Sequence, residues 1–232
     1  VLVAPGLAAA QAITADSARV AIERAHLTGD VAALHAVHGA LEREAAAGSA
    51  DPLLLHYLGY ALYREDTMAR EDSLLERAQE VLIRSAEIMP LPETYALLET
   101  LFGRAIARSP WKGPFLARRM NRAQAAAQRL GPENPRVALQ AAINAYHAPG
   151  WFGGGLDRAE AELRRALELF ERDAPPAPLP AWGHAEAWAW LGRVRARRDD
   201  VAGARAAYQK ALEIEPDYAW VRQRLLPELD RR

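Results

Sequence analysis

The 232-residue chain balances 29 basic against 30 acidic residues, is half apolar, and contains no cysteine. A net charge of −1 leaves no electrostatic basis for a nucleic-acid partner. The missing cysteine removes disulfide frameworks, thiolate zinc sites and thiol nucleophiles together. The apolar fraction is ample for a folded core. With aromatics at only 7%, that core depends on close helix–helix approach by alanine more than on bulky side chains.

Residues 1–12 are uncharged, and two readings compete. They are either a signal-peptide remnant with Ala10-Gln11-Ala12 as an A-x-A cleavage site, or an apolar N-terminal arm of the mature chain. In the second reading Val1, Leu2, Val3 and Leu7 are the side chains that would enter a partner. Both readings place the protein outside the cytoplasm, in the periplasm or beyond the cell. The stretch is too short to span a bilayer, and no other uncharged run approaches its length. Residues 13–232 then read as one helical repeat domain.

Residues 14–44 hold two helices separated at Gly29-Asp30, the turn expected inside a hairpin. In residues 52–90, Leu55, Leu58, Gly59 and Leu62 mark a first helix and Ala78, Leu82, Ser85 and Pro90 a second. Asp51 reads as an N-cap before Pro52 at N1, and Ser73-x-x-Glu76 as a capping box. The charged interval from Arg64 to Asp72 is expected as a solvated loop. Residues 92–132 give a helix through Tyr95, Leu98 and Phe102, an enlarged loop from Ser109 to Pro114, and an alanine-rich helix. Residues 135–171 open with Asn134 as cap and Pro135 at N1. Their second helix carries Ala159, Leu163 and Ala166, with Asp157-x-x-Glu160 as its capping box. The run Gly153-Gly154-Gly155 could in principle cradle an anion with its backbone N–H groups. Asp157 would repel that anion and no Gly-Lys-Ser/Thr follows, so the run reads as a turn that uses positive φ. A proline-rich connection from Asp173 to Pro180 interrupts the stack without necessarily dividing it.

Residues 185–216 form the clearest unit. Trp188, Leu191, Gly192, Ala204, Tyr208, Ala211 and Pro216 stand at the spacings W-x2-LG, A-x3-F/Y-x2-A and a terminal Pro. This resembles the tetratricopeptide repeat (TPR) family, with one departure at Arg195, where an aromatic is usual. Gly192 and Ala204 are small where paired helices cross, and Pro216 ends the second helix because it cannot continue the ladder. The segment Asn134-Pro135-Arg136 with Pro149 to Gly155 is also similar to uncharacterised exported bacterial TPR proteins. The resemblance implies an all-α, right-handed solenoid of about five hairpins, with Tyr218 to Leu226 as a capping helix whose Trp220 and Leu225 cover the last hairpin.

Little in the chain suggests chemistry. His35 and His38, spaced i, i+3, could share a helix face. A zinc site needs three or four ligands, and no nearby Cys or paired carboxylate completes the set, so they and His26, His56, His147 and His184 read as ordinary histidines. The carboxylates Glu160, Glu162 and Glu168 alternate with Arg164 and Arg165 as a salt-bridged, solvated face. No HExxH, GxSxG or Walker motif occurs. The sequence therefore predicts no catalytic, cofactor-binding or metal-binding residues, no enzyme activity and no small-molecule substrate.

A TPR stack cradles polypeptides on the inner face built mainly from its first helices. Candidate inner positions here are Tyr57, Tyr60, Arg193 and Arg197. No row of Lys and Asn resembling a carboxylate clamp stands at the matching positions. Trp111, Trp151 and Trp182 sit in loops beside Pro or Gly. Each either packs over a hairpin end or stays exposed as a contact anchor, and two exposed on one side would mark a binding surface. The expected function is a non-enzymatic, exported protein–protein interaction scaffold with a polypeptide in its concave groove. The alternative is a self-assembling subunit of an extracellular filament, with arm 1–12 inserted into a neighbouring copy.

Overall fold

The structure, a computed structural model, describes residues 12–69 and 71–232. These form five helical hairpins: α1 (Ala15–Thr28) with α2 (Val31–Ala46), α3 (Pro52–Ala69) with α4 (Asp72–Ile88), α5 (Pro92–Arg108) with α6 (Gly113–Leu130), α7 (Pro135–His147) with α8 (Leu156–Phe170), and α9 (His184–Arg197) with α10 (Val201–Ile214). A π-helical turn, Trp220–Leu225, leads into a closing helix, α11 (Leu226–Asp230). No strand occurs among the described residues. The five hairpins and closing element agree with the sequence expectation.

Local chemistry sets the boundaries. Gly29 adopts φ +70° at the end of α1, and Asp30 accepts a hydrogen bond from the Ala33 N–H at 2.9 Å. Asp51 caps α3 through the Leu53 N–H at 2.8 Å, and Asn134 caps α7 through the Arg136 N–H at 2.9 Å, each before a proline at N1. Two expected capping boxes are absent. Helix α4 starts behind Glu71 without a side-chain cap, which puts Ser73 inside the helix. Helix α8 starts behind Gly155, and Asp157 and Glu160 instead pair with Arg198, which follows α9.

The pairing within hairpins rests on small residues. A Cβ at Gly192 would stand 2.3 Å from the Tyr208 ring, and one at Gly59 would stand 2.3 Å from Leu82 Cγ. Three of the five second helices, α4, α8 and α10, repeat one buried pattern: Ala78, Leu82, Ser85; Ala159, Leu163, Ala166; Ala204, Tyr208, Ala211. Helix axes can approach this closely only where one side chain is missing.

Between hairpins, the first helices run side by side in one direction. Hydrogen-bonded pairs fix this register: His56 with Thr94 and Arg104 with Asp66, each 38 residues apart, then Thr100 with Gln140 at 40 and Asn134 with Glu93 at 41. The stack also closes on itself. His26 meets Tyr218 edge-on at 5.9 Å, and Leu27 packs with Ala185, Tyr218 and Val221. The first hairpin therefore touches the closing element.

A further expectation is overturned: the first part of the interval expected as a solvated loop, from Arg64 on, is helical. Helix α3 runs on to Ala69, and Arg64, Glu65 and Asp66 are buried. Each has a partner: Arg64 bonds Glu186, Glu65 bonds His35 and His38, and Asp66 bonds Arg104 and Arg108.

Two helical glycines should respond oppositely to alanine. At Gly39 the nearest side-chain atom to an added Cβ is Arg43 Nη1 at 3.6 Å, so Gly39→Ala should stabilise by up to about 1 kcal/mol. Gly192→Ala forces the buried Tyr208 ring aside and should destabilise by about 1–3 kcal/mol. Denaturant midpoints of the two variants check both signs, and an unchanged midpoint for Gly192→Ala would contradict the close crossing.

Candidate functional site

The inner face is occupied by the chain itself. The segment between α8 and α9 crosses it: the Tyr57 hydroxyl donates to the Pro178 carbonyl at 2.6 Å, Arg136 of α7 grips Asp173 at 3.0 and 2.6 Å, and the Trp182 ring stacks on Tyr60 at 5.1 Å. Tyr57, Tyr60 and Trp182 are all buried. This corrects the expectation that the two tyrosines line an open groove. Among the three loop tryptophans, Trp182 packs down as a plug. Beside the crossing segment, a cavity of about 240 Å³ remains between Pro92, Asn134, Arg136 and Pro180.

Beneath Trp182 lies a buried polar network. Arg64 donates two hydrogen bonds to Glu186 of α9 at 3.0 and 2.6 Å, and a third to the Tyr60 hydroxyl at 2.8 Å. Tyr60 donates onward to Glu23 of α1 at 3.0 Å. Burial alone would raise the Glu186 pKa, but the charge and hydrogen bonds of Arg64 hold it at about 2. Burial raises Glu23 despite Arg64 nearby. Burial pushes His26 down to about 3, and neither of its ring nitrogens is hydrogen-bonded. The network thus joins α1, α3 and α9, the first helices of hairpins one, two and five.

Arg193 and Arg197 lie further along α9. Arg193 is held among the rings of Trp190 (4.5 Å), Tyr146 (4.8 Å) and Trp220 (5.5 Å), and Arg197 covers Tyr146 at 5.0 Å. With Tyr208, Glu228 and Arg232 they line a cavity of about 80 Å³ against the closing helix. Burial lowers the Arg193 pKa, and no carboxylate pairs with it among the described residues. Cation–π contacts stand in for the missing counter-ion.

The other two loop tryptophans face water. Trp111 sits in the 3-10 turn Pro110–Lys112 and is 77% exposed, with Phe115 at 69% one turn later. Trp151 sits in the 3-10 turn Gly150–Phe152 and is 83% exposed. Both turns follow the C-terminal ends of first helices. Because α5 and α7 run parallel, both turns fall on one edge of the stack, in successive hairpins. The glycine run does hold the second turn, as read from the sequence. The N–H groups of Gly153, Gly154 and Gly155 donate to the carbonyls of Gly150, Pro149 and Ala145 at 2.9, 3.1 and 2.8 Å, which leaves none for an anion. Val1, Leu2, Val3 and Leu7 lie outside the described residues.

Comparison with known proteins agrees with this geometry. Residues 185–218 match the tetratricopeptide repeat family model. One tetratricopeptide repeat is thus matched directly, at the last hairpin, and the whole stack has the fold of a TPR solenoid. Its fold is similar to that of a thermophilic TPR protein from Thermus thermophilus, with a TM-score of 0.64 at 20% identity over 91% of this chain and 98% of that one. It is equally similar to the HusA haemophore from Porphyromonas gingivalis, with a TM-score of 0.64 at 22% identity over 83% of this chain and 96% of that one. No curated protein matches the sequence. In TPR terms, Gly192 and Tyr208 occupy the crossing of the matched repeat, whereas the inner face of the stack carries paired charges and a proline-rich strap. Sequence reasoning missed Arg64, Arg136 and Glu186. No local signal marks them: Arg64 heads a charged run, and Arg136 and Glu186 stand in the first turns of α7 and α9.

The buried charges set two expected outcomes. Glu186→Ala leaves Arg64 buried without its carboxylate and should cost about 3–5 kcal/mol, read as a lowered denaturant midpoint. Glu99, buried on α5, has a pKa raised to about 7 by burial. An acid raised in the folded state contributes stability below its unfolded value of 4.5 that is lost as pH rises through 7. Wild type should therefore lose stability relative to Glu99→Gln between pH 4.5 and 7. Parallel unfolding curves at about pH 5 and pH 7.5 test this, and a pH-independent difference between the two proteins would refute it.

Proposed function

We propose that this TPR protein is a non-enzymatic scaffold that binds a segment of another polypeptide along the edge carrying Trp111, Phe115 and Trp151, rather than in its concave groove. The TPR fold supports a protein partner in general terms. The observation that carries the choice of edge is the exposure of two indoles in consecutive hairpin turns. Large aromatics held in water by short turns, each with a proline that fixes the backbone near the indole, lose little conformational freedom on contact, which suits them as anchors. The groove reading loses its support because Tyr57, Tyr60 and Trp182 are buried against one another and the strap at 173–183. We further propose that the protein acts outside the cytoplasm. The uncharged apolar stretch at residues 1–12 supports that placement.

Peptides selected on the full chain from a displayed random library provide the test. Each should bind the Trp111→Ser/Trp151→Ser double variant at least about thirtyfold more weakly, the loss expected for removing one anchor worth about 2 kcal/mol. Circular dichroism should be unchanged, since both rings already face solvent. Peptides that bind both proteins equally would place the contact elsewhere.

A further inference from the structure

Helices α2 and α3 bring together three side chains that the sequence keeps apart. His35 and His38 lie one turn apart on α2, and the Nδ1 atom of each is 2.8 Å from one oxygen of the Glu65 carboxylate on α3. The three candidate ligand atoms lie within 4.8 Å of one another. We propose that His35, His38 and Glu65 bind a divalent transition-metal ion of the zinc class, which staples the first hairpin to the second.

Three observations support the site. First, Glu65 is buried, yet its partners among the described residues are two imidazoles and no Lys or Arg. The adjacent Asp66, also buried, is held by both Arg104 and Arg108. A buried carboxylate without a fixed cation is costly, and a bound dication would balance it. Second, the donor set is two imidazole nitrogens and one carboxylate, which selects zinc and its neighbours over magnesium or calcium, whose sites are built from oxygen. Ligand atoms around a tetrahedral zinc stand about 3.3 Å apart. The present spacings bracket that value, so the ion needs side-chain adjustment of about one ångström. Third, a carboxylate stands behind one of the histidines, at ion-pair rather than hydrogen-bond distance. His38 is mostly enclosed, and its Nε2 is 3.9 Å from Glu42, which Arg77 grips at 2.8 Å through each carboxylate oxygen. A carboxylate behind a histidine ligand orients the ring and favours coordination through the opposite nitrogen. His35 is 72% exposed, which leaves an approach for the ion and a fourth position for water.

The full chain, stripped with chelator, should take up one zinc ion per molecule in calorimetric titration, and its melting temperature should rise with zinc but not with magnesium. Cobalt should give the visible absorption of a low-symmetry site. Glu65→Gln keeps the shape and removes the charged ligand, so zinc affinity should fall at least a hundredfold. His35→Ala changes an exposed ring and tests the same ligand set should Glu65→Gln fold poorly. Absence of saturable zinc uptake, or equal zinc affinity in wild type and His35→Ala, would overturn the site.

Discussion

Arg64 and Glu186 hold the two ends of the architecture to each other. Their side chains come from α3 and α9, 122 residues apart, and meet through two hydrogen bonds in a nearly dry interior. Neither charge could remain in that interior alone. Tyr60 and Trp190 hydrogen-bond the pair directly, and Tyr60 donates onward to Glu23. The hairpins must therefore curve until hairpin two faces hairpin five. The placement of the strap, the burial of Tyr57 and Tyr60, and the contact between α1 and the closing element all depend on that curvature.

This geometry moves the question of binding from the inside of the stack to its rim. In an open solenoid the first helices present a concave surface to a ligand. Here that surface is already engaged by residues 173–183, through a carbonyl, an indole and an aspartate of the same chain. Aromatic surface stays in water instead at the edge of turns, and a small arginine-lined cavity lies beside the closing helix.

The hairpin count, the turn at Gly29-Asp30, the capping by Asp51 and Asn134, and the register of the last repeat were all legible, because each follows from residues within one or two turns of each other. A glycine opposite a large side chain leaves a mark at fixed spacing, as Gly192 and Tyr208 do. The inner face was not legible. A run such as Arg64-Glu65-Asp66 looks solvated in a local window, and its ion-pair partners lie 27 to 122 residues away. The same limit applies to His35 and His38, whose third companion belongs to another hairpin. Trp111, Trp151 and Trp182 share similar neighbours in sequence, and only the path of the strap separates the buried one from the two exposed ones. Ser73 and Asp157 had suitable spacing for capping boxes, but α4 begins one residue before Ser73, and Asp157 is engaged by Arg198 across hairpins.

The meeting of His26 and Gly29 with Tyr218 and Ala219 also limits how such a chain can change over time. An open stack tolerates duplication or loss of internal units, since each unit touches only its neighbours. A ring-like stack does not, because an added hairpin would separate the first unit from the last and strand Arg64 opposite the wrong helix. Its length is fixed by closure, so diversification is confined to the loops on its rim.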